Sequence, residues 1–545
     1  MKRIQRIIAA LLCCCLLFGC SGAPASSVAA GSSSSTAQAE SEAGPVSFPL
    51  SETAEFNIGT IVMDGAPSNA ECKFWQKREE ETNVHVEWEE TLYSAWTTKK
   101  AAVLSAGDLP DAFILRGLVT DEEVASYGAA GTFIKLQDYI TPEIMPNLAG
   151  YLEEHPDWKT AITAPDGNIY SLPSIDATAY TADSIPYVNK DWAAQVMQDL
   201  DLTQPMDLET FEALLTAFKN SDPNGNGKAD EIPWSVGGNG VDFLRWSGSF
   251  GIFDSYSAPN NTSHLYLDGD TVKYAPMQEG YKEFVKWLNG LWSKGLIDVE
   301  AFTQDSATLS AKQIDPERIL GYMYCWRNSA WALSDDDDTY VVTPPLDTGI
   351  SDPTWINVSD VTFNRGTVML TSECEDPELL LSWIDLCYEP YNSLQLNTAQ
   401  FDGEHIKKND DGTFTQLRAI DWNLPDESTF MPNNYAKIYI LTPETFAKQD
   451  VKPPVYIQKH PIDEMMSEYY SDTLSLLPTS IWLTEEDGKQ VAIYRTDLDA
   501  YILDCFARWV TTGGIDEEWD AYVTKLSEMG ADDLVNLYQT YYDAL

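Results

Sequence analysis

Asp222-Pro223-Asn224-Gly225-Asn226-Gly227-Lys228-Ala229-Asp230-Glu231 is the stretch of this chain whose residue types and spacing point most directly to a defined chemistry. Oxygen-bearing side chains at the first, third and fifth places, with glycine at the sixth, form the first half of a calcium loop. Calcium takes about six to eight oxygens, and alternate residues of a tight turn aim theirs inward. Gly227 accepts the positive φ that such a bend requires. Lys228, at the seventh place, would give its backbone carbonyl and send its ammonium to solvent. The twelfth place, where an EF-hand carries a bidentate glutamate, is Pro233. Closure therefore falls to Asp230 and Glu231, and the loop is not a helix-loop-helix sensor. The alternative reading is an Asn/Gly turn edged by solvated acids.

Other chemistries find less support. The histidines His85, His155, His264, His405 and His460 are scattered, and no H-E-x-x-H occurs. Neither G-x-S-x-G nor a phosphate-binding Walker loop is present. The chain holds 85 acidic residues, so two carboxylates at a glycosidase separation would arise by chance and carry no weight. With 34 basic residues the formal net charge is −51, a field that repels nucleic acid and anionic lipid.

The elements that position these residues begin after a targeting segment. Lys2, Arg3 and Arg6 precede an apolar run from Ile7 to Phe18, too short to span a bilayer, and Leu17-Phe18-Gly19-Cys20 follows the pattern of a lipobox. Residues 1–19 are expected to be a signal peptide and Cys20 to carry the lipid. Residues 20–52 then form a tether rich in Ser, Ala, Gly and Pro, with too little apolar surface to fold. Its reach is roughly 30 Å. Cys72, Cys325, Cys374, Cys387 and Cys505 remain, an odd and widely spaced set that reads as buried small hydrophobes rather than a disulfide framework. Alternation predicts strands over 55–63 and 84–88, with a helix over 70–82 between them and an apolar run at 113–115. Further helices are predicted over 192–200, 208–219, 281–294, 498–511, 517–529 and 531–542. Strand, helix, strand at this spacing argues for an α/β chain with a mainly parallel sheet.

Several ordered stretches carry a family likeness. They are Ser105-Ala106-Gly107-Asp108-Leu109-Pro110-Asp111, then Pro165 to Pro173, Tyr187-Val188-Asn189-Lys190-Asp191-Trp192, and the run from Phe218 to Pro233. Gly295-Leu296-Ile297-Asp298 and Trp519-Asp520-Ala521-Tyr522 follow. The chain resembles the extracellular solute-binding proteins of family 1, most of all the alginate-oligosaccharide-binding, LipO-like lipoprotein branch. The resemblance implies a two-lobed periplasmic-binding-protein-like α/β fold of type II. Its expected lobes are 53–188 with 362–400, and 189–361 with 401–545. Crossings are expected near Tyr187–Asn189, Val361–Asn364 and Asn397–Gly403. It further implies a structural calcium on Asp222, Asn224, Asn226, Lys228, Asp230 and Glu231. The implied role is the substrate-binding lipoprotein of an ABC importer, monomeric and held on the extracytoplasmic face of the membrane by its lipid. It would capture an oligosaccharide between the lobes and deliver it to permease subunits. The rivals are a surface glycan-processing enzyme and a ligand-sensing partner of a membrane receptor.

A sugar cleft needs aromatic planes for C–H faces and planar donors for hydroxyls. Arg245-Trp246 and Trp326-Arg327 with Trp331 meet that description best, followed by Trp422 and Tyr180. Core packing is the competing reading for each aromatic among them. Arg245 and Arg327 also admit a carboxylated sugar, because a guanidinium forks a carboxylate.

Overall fold

Side chains of β1 (Ala54–Val62) divide between two layers, as a strand covered on both faces requires. Phe56 and Ile58 enter one core, and Ile61 enters the core on the opposite face. The same alternation continues in β3 (Ala112–Ile114), where Ala112 and Ile114 face the first core and Phe113 the other. The computed structural model describes residues 46–178, 185–254, 262–325, 331–333, 337–356, 361–421, 424, 426–452, 462 and 464–545. Cys20, Tyr180, Trp326, Arg327 and Trp422 lie outside that set.

Two sheets organise two lobes. In the first, β1 pairs in parallel with β2 (Val84–Leu92) from Ala54↔Val84 to Val62↔Leu92, and with β3 on its other side. Next come β11 (Thr362–Leu370), β4 (Leu172–Asp176) and β14 (Ile440–Leu441), giving the order β14-β4-β11-β3-β1-β2. Only β11 runs antiparallel, and its register against β4 breaks between Asn364 and Val368. The second sheet has the order β10-β5-β9-β6, from β5 (Ile185–Asn189), β6 (Ile232–Ser235), β9 (Leu320–Cys325) and β10 (Tyr340–Val342). A smaller sheet of β7 (Leu265–Asp268), β8 (Thr271–Tyr274) and β15 (Leu474–Ser475) packs in the second lobe.

Most expected elements stand close to their predicted places: the Lys73–Thr82, Leu208–Asn220 and Glu279–Ser293 helices, and the closing pair Ile515–Glu528 and Ala531–Tyr542. The Glu485–Thr512 helix starts well before the predicted 498, because Thr484 caps it by accepting from Asp487 N. Cys72, Cys325, Cys387 and Cys505 are buried and unbridged.

The lobe boundaries need correction. β5 already belongs to the second sheet, so the first crossing falls between Asp176 and Ile185 rather than at Tyr187–Asn189. Residues from 401 were expected in the second lobe, yet Ile406, Phe414, Phe430, Ile438 and Phe446 pack into the first core. The last crossing therefore lies beyond Phe446, before Met466 enters the second core. The middle crossing runs between Ile356, in the second core, and Thr362 at the start of β11.

One buried side chain ties this returning chain down. Arg365, 4% exposed, projects from the irregular part of β11. Its Nε donates to Ala161 O at 2.5 Å, one terminal nitrogen pairs with Asp121, and the other donates to Thr479 O. Its guanidinium lies 5.1 Å from the Trp482 ring, whose Nε1 donates to Asp121 O at 3.2 Å. Ile481 and Leu483 enter the second core while Trp482 between them enters the first lobe. Arg365→Met should lower the melting temperature, because breaking a buried pair from one side costs about 3–5 kcal/mol. Adding Asp121→Asn should recover part of the loss by removing the stranded carboxylate. Thermal melts of the three proteins check this, and an unchanged single-mutant melt would contradict it.

Candidate functional site

Parallel strands deliver their loops to the carboxyl edge of a sheet, and ligands of open α/β folds collect there. Tyr93 directly follows β2, and Arg116 lies two residues beyond β3. A segment on the approach to β14 crosses that edge. Arg116 N donates to Tyr435 O at 3.2 Å, and the Arg116 guanidinium donates to Tyr439 Oη at 2.8 Å while lying 5.2 Å from its ring. Tyr93 and Tyr435 stack with centroids 5.1 Å apart and planes 7° from parallel. Tyr93 remains 43% exposed, so the stack presents aromatic surface to solvent. Burial, and then the Tyr93 hydroxyl, push the Tyr435 phenol up to about 12. At the end of β4, Asp176 accepts from Asn397 Nδ2 at 2.7 Å and from Thr178 N and Oγ1 at 2.9 and 2.7 Å. An exposed aromatic plane with a guanidinium beside it, and an oriented carboxylate further along the same edge, suits a ligand with apolar ring faces and a polar rim.

The second sheet offers its own carboxyl edge. Ser235 closes β6 and donates to Asp298 Oδ2 at 2.7 Å, with Lys312 on the same carboxylate. Tyr324, near the end of β9, is half-buried beneath the Arg245 guanidinium at 5.1 Å. Arg245 thus keeps a place beside that edge.

Trp246 and Trp331, expected as stacking platforms, are instead core residues at 1% and 2% exposure. Trp246 packs edge-on to Trp234 at 4.9 Å and to Trp355 at 5.5 Å, and Trp331 sits against Tyr340 and Tyr187. Both were read as loop aromatics because their neighbours are polar. The Gly238–Phe250 segment is a run of short helical turns that buries Phe243, Leu244, Trp246 and Phe250. Large rings gain more from an apolar core than from a wet edge.

The acidic loop lies between the Leu208–Asn220 helix and β6. Asp222 Oδ2 accepts from Gly227 N at 3.0 Å, Asn224 Oδ1 from Asn226 N at 3.1 Å, and Asn226 Oδ1 from Lys228 N at 2.8 Å. The oxygens at the first, third and fifth places thus all turn into the loop, and Gly227 adopts φ +74°. Asn224 and Asn226 donate their Nδ2 atoms to Asp230, and the Lys228 ammonium turns away to Glu317 at 2.6 Å. Glu231 Oε1 is buried without a hydrogen-bond partner, and its carboxyl is held above the usual range by burial and then by Asp230 and Asp222. Three carboxylates with unmet charge fit a hard dication. Among the described residues, no three His, Cys, Asp or Glu side chains form a ready metal cage; two of the loop's donors are amides.

No protein-family model matches the chain. It is 31% identical over 515 residues to the fructooligosaccharide ABC transporter substrate-binding protein FusA of Streptococcus pneumoniae, covering 91% of this chain and 92% of that protein. The chain belongs to the substrate-binding proteins of ABC importers. FusA solved in complex with kestose superposes on this substrate-binding protein with TM-score 0.76 and 28% identity, over 90% of this chain and 99% of the other. FusA has also been solved as an EF-hand mutant with fructo-nystose. Lipoprotein LipO of Bacillus subtilis is 25% identical over 232 residues, 38% of this chain and 41% of LipO. The alginate-binding protein AlgQ2, solved without calcium ion, shares the fold at TM-score 0.67 and 18% identity, over 92% of this chain and all of that one.

Tyr93, Arg116, Asp176, Tyr324, Tyr435 and Tyr439 were not singled out from the sequence. Tyr93 and Arg116 had a usable signal, since each closely follows an apolar strand whose carboxyl end is a natural ligand edge. Tyr435 and Tyr439 had none, because their segment reaches that edge only through tertiary packing.

Proposed function

We propose that this substrate-binding protein captures an oligosaccharide between its lobes and hands it to the transmembrane subunits of an importer. The observation that carries the reading is the solvent-facing Tyr93–Tyr435 stack, set beside Arg116 on the carboxyl edge of the first sheet, the edge that also carries Asp176. FusA, whose name gives fructooligosaccharide as its cargo, supports the same ligand class. Ring faces would lie on the tyrosines, and hydroxyls would find the guanidinium and carboxylate. Arg245 and Tyr324 would meet the ligand from the second lobe as the lobes close. The cargo leaves chemically unchanged. Tyr93→Ala should weaken binding of the sugar by roughly thirtyfold, the scale of a 2 kcal/mol hot spot, with little change in the ligand-free melt. Trp246→Ala should do the reverse, costing about 3–5 kcal/mol of stability as a core truncation. Calorimetric titration across an oligosaccharide panel, paired with melts, reads both, and Tyr93→Ala binding like wild type would remove the tyrosine stack from the site.

Among the described residues no helix is long and apolar enough to cross a membrane. Attachment would rest on diacylglycerol at Cys20, with the tether letting the lobes work beside the permease. Cys20→Ala should move the protein from the membrane fraction to the supernatant; retention on the membrane would rule out this anchor.

The acidic loop would hold a structural calcium through Asp222, Asn224, Asn226, the Lys228 carbonyl, Asp230 and Glu231. Bound there, the ion would neutralise the crowded carboxylates and brace the entry to β6. Calcium at about 100 times its dissociation constant adds about 2.7 kcal/mol. A chelator should therefore lower the melting temperature, and Asp222→Ala should abolish that response. Purified protein with no calcium by atomic absorption, and a melt indifferent to chelator, would refute the site.

A further inference from the structure

The acidic loop between the Leu208–Asn220 helix and β6 is gripped from outside by Glu317, 91 residues beyond Asn226. Ile232 N donates to Ile319 O at 2.8 Å, just where β6 and β9 begin their parallel pairing at Ile232↔Leu320. The acidic loop and the turn that holds Glu317 therefore meet at the amino ends of two adjacent strands. There Glu317 Oε2 accepts from Asn226 Nδ2 at 2.9 Å and from the Lys228 ammonium at 2.6 Å.

Glu317 is placed by a tight turn of its own. Its backbone N donates to Asp315 Oδ1 at 2.8 Å, and the next residue, Arg318, donates its N to Asp315 O at 3.0 Å. Arg318 takes a left-handed conformation at φ +54°, which a long side chain keeps only where its surroundings hold it. Here they do: its guanidinium donates to Trp331 O at 2.7 Å and pairs with Asp337. The carboxylate of Glu317 is thus brought to the acidic loop by a fixed support.

The contact does more than pair two charges. Lys228 and Glu317 keep 58% and 48% of their side chains exposed, and such surface pairs contribute little. The Asn226 amide is the more telling partner. Its Oδ1 accepts from Lys228 N at 2.8 Å, and a backbone N–H can only donate, so the other end of the amide is Nδ2 with two protons to place. Asp230 takes one and Glu317 the other. Asp230 is itself one of the carboxylates that would turn to calcium, whereas Glu317 stands outside the loop and remains as acceptor. It also draws the Lys228 ammonium away from the loop's own carboxylates, where a cation would compete with the metal.

We infer that Glu317 is a positioning residue of the calcium loop, holding the Asn226 amide so that Oδ1 faces the ion. The inference rests on the calcium reading above and extends it to a residue beyond the loop. A partner that fixes how a ligating side chain points is worth about tenfold to a hundredfold in metal affinity.

Calcium titration of the full chain, first stripped with chelator, tests this on wild type, Glu317→Ala, Glu317→Gln and Lys228→Met. Glu317→Ala should bind calcium about tenfold or more weakly than wild type. Glu317→Gln keeps an acceptor oxygen for Asn226 Nδ2 and should recover most of that loss. Lys228→Met removes a cation and spares the amide contact, so it should bind at least as tightly as wild type. In chelator all four should melt together. Wild-type affinity in Glu317→Ala would overturn the inference, and so would a melt of that variant already lowered in chelator. A Glu317→Gln no better than Glu317→Ala would assign the effect to net charge, and an equal loss in Lys228→Met would assign it to the ion pair; either overturns the positioning role while leaving the calcium site. Wild type that takes up no calcium would overturn the calcium reading, and this inference with it.

Discussion

Arg365 fastens a segment of the second lobe to the first, and that junction depends on one buried guanidinium. Among the described residues the chain changes core three times, between Asp176 and Ile185, between Ile356 and Thr362, and between Phe446 and Met466. Arg365 rides on β11, the antiparallel strand of the first sheet and the strand on which the chain re-enters the first lobe. By holding Asp121, Ala161 O and Thr479 O together, it joins that return to the segment that opens the Glu485–Thr512 helix. A guanidinium suits the post because its planar fork satisfies several oxygens without losing its charge when desolvated. Trp482, set between two residues of the other core, covers the pair from water. The second-lobe segment that carries Thr479 is thereby held against the first lobe.

Aromatic residues show a division of labour. In the second lobe Trp234, Trp246, Tyr322 and Trp355 pack edge to face, a geometry that favours ring pairs beyond their area alone. In the first lobe Tyr93 and Tyr435 spend one face on each other and leave surface to solvent. A stacked pair keeps its orientation in water better than a single exposed ring, because each ring limits the other's rotamers. The surrounding charge is sparse but oriented: Arg116 is braced by Tyr439, and Asp176 by Asn397 and Thr178. Such preorganisation lowers the ordering cost of binding a flexible polyhydroxyl chain.

Much of the fold was legible in the sequence where local pattern and tertiary role agree. β1 and β2 alternate, the Ala531–Tyr542 helix carries its apolar stripe, and both stand where the pattern puts them. The calcium-like loop was legible because its chemistry is local, with every donor inside one turn. The 401–452 segment was not, since it is built from a small hairpin and short helical turns with no sustained period, and only packing reveals that Ile406, Phe414 and Phe430 belong to the first core. Trp246 and Trp331 misled for a related reason: polar neighbours in sequence do not imply a polar environment in space. Arg116 and Tyr439 meet across more than three hundred residues, a pairing no window of sequence contains.

The account stands or falls on where the cargo sits. A crystal structure of the chain with the oligosaccharide that binds it most tightly is the most direct measurement. The account predicts one sugar ring on the Tyr93–Tyr435 stack, within reach of Arg116, with the rest of the ligand extending along the edge towards Asp176, and with Arg245 and Tyr324 closing from the second lobe. A sugar bound elsewhere on the molecule, with the carboxyl edges of both sheets vacant, would contradict it.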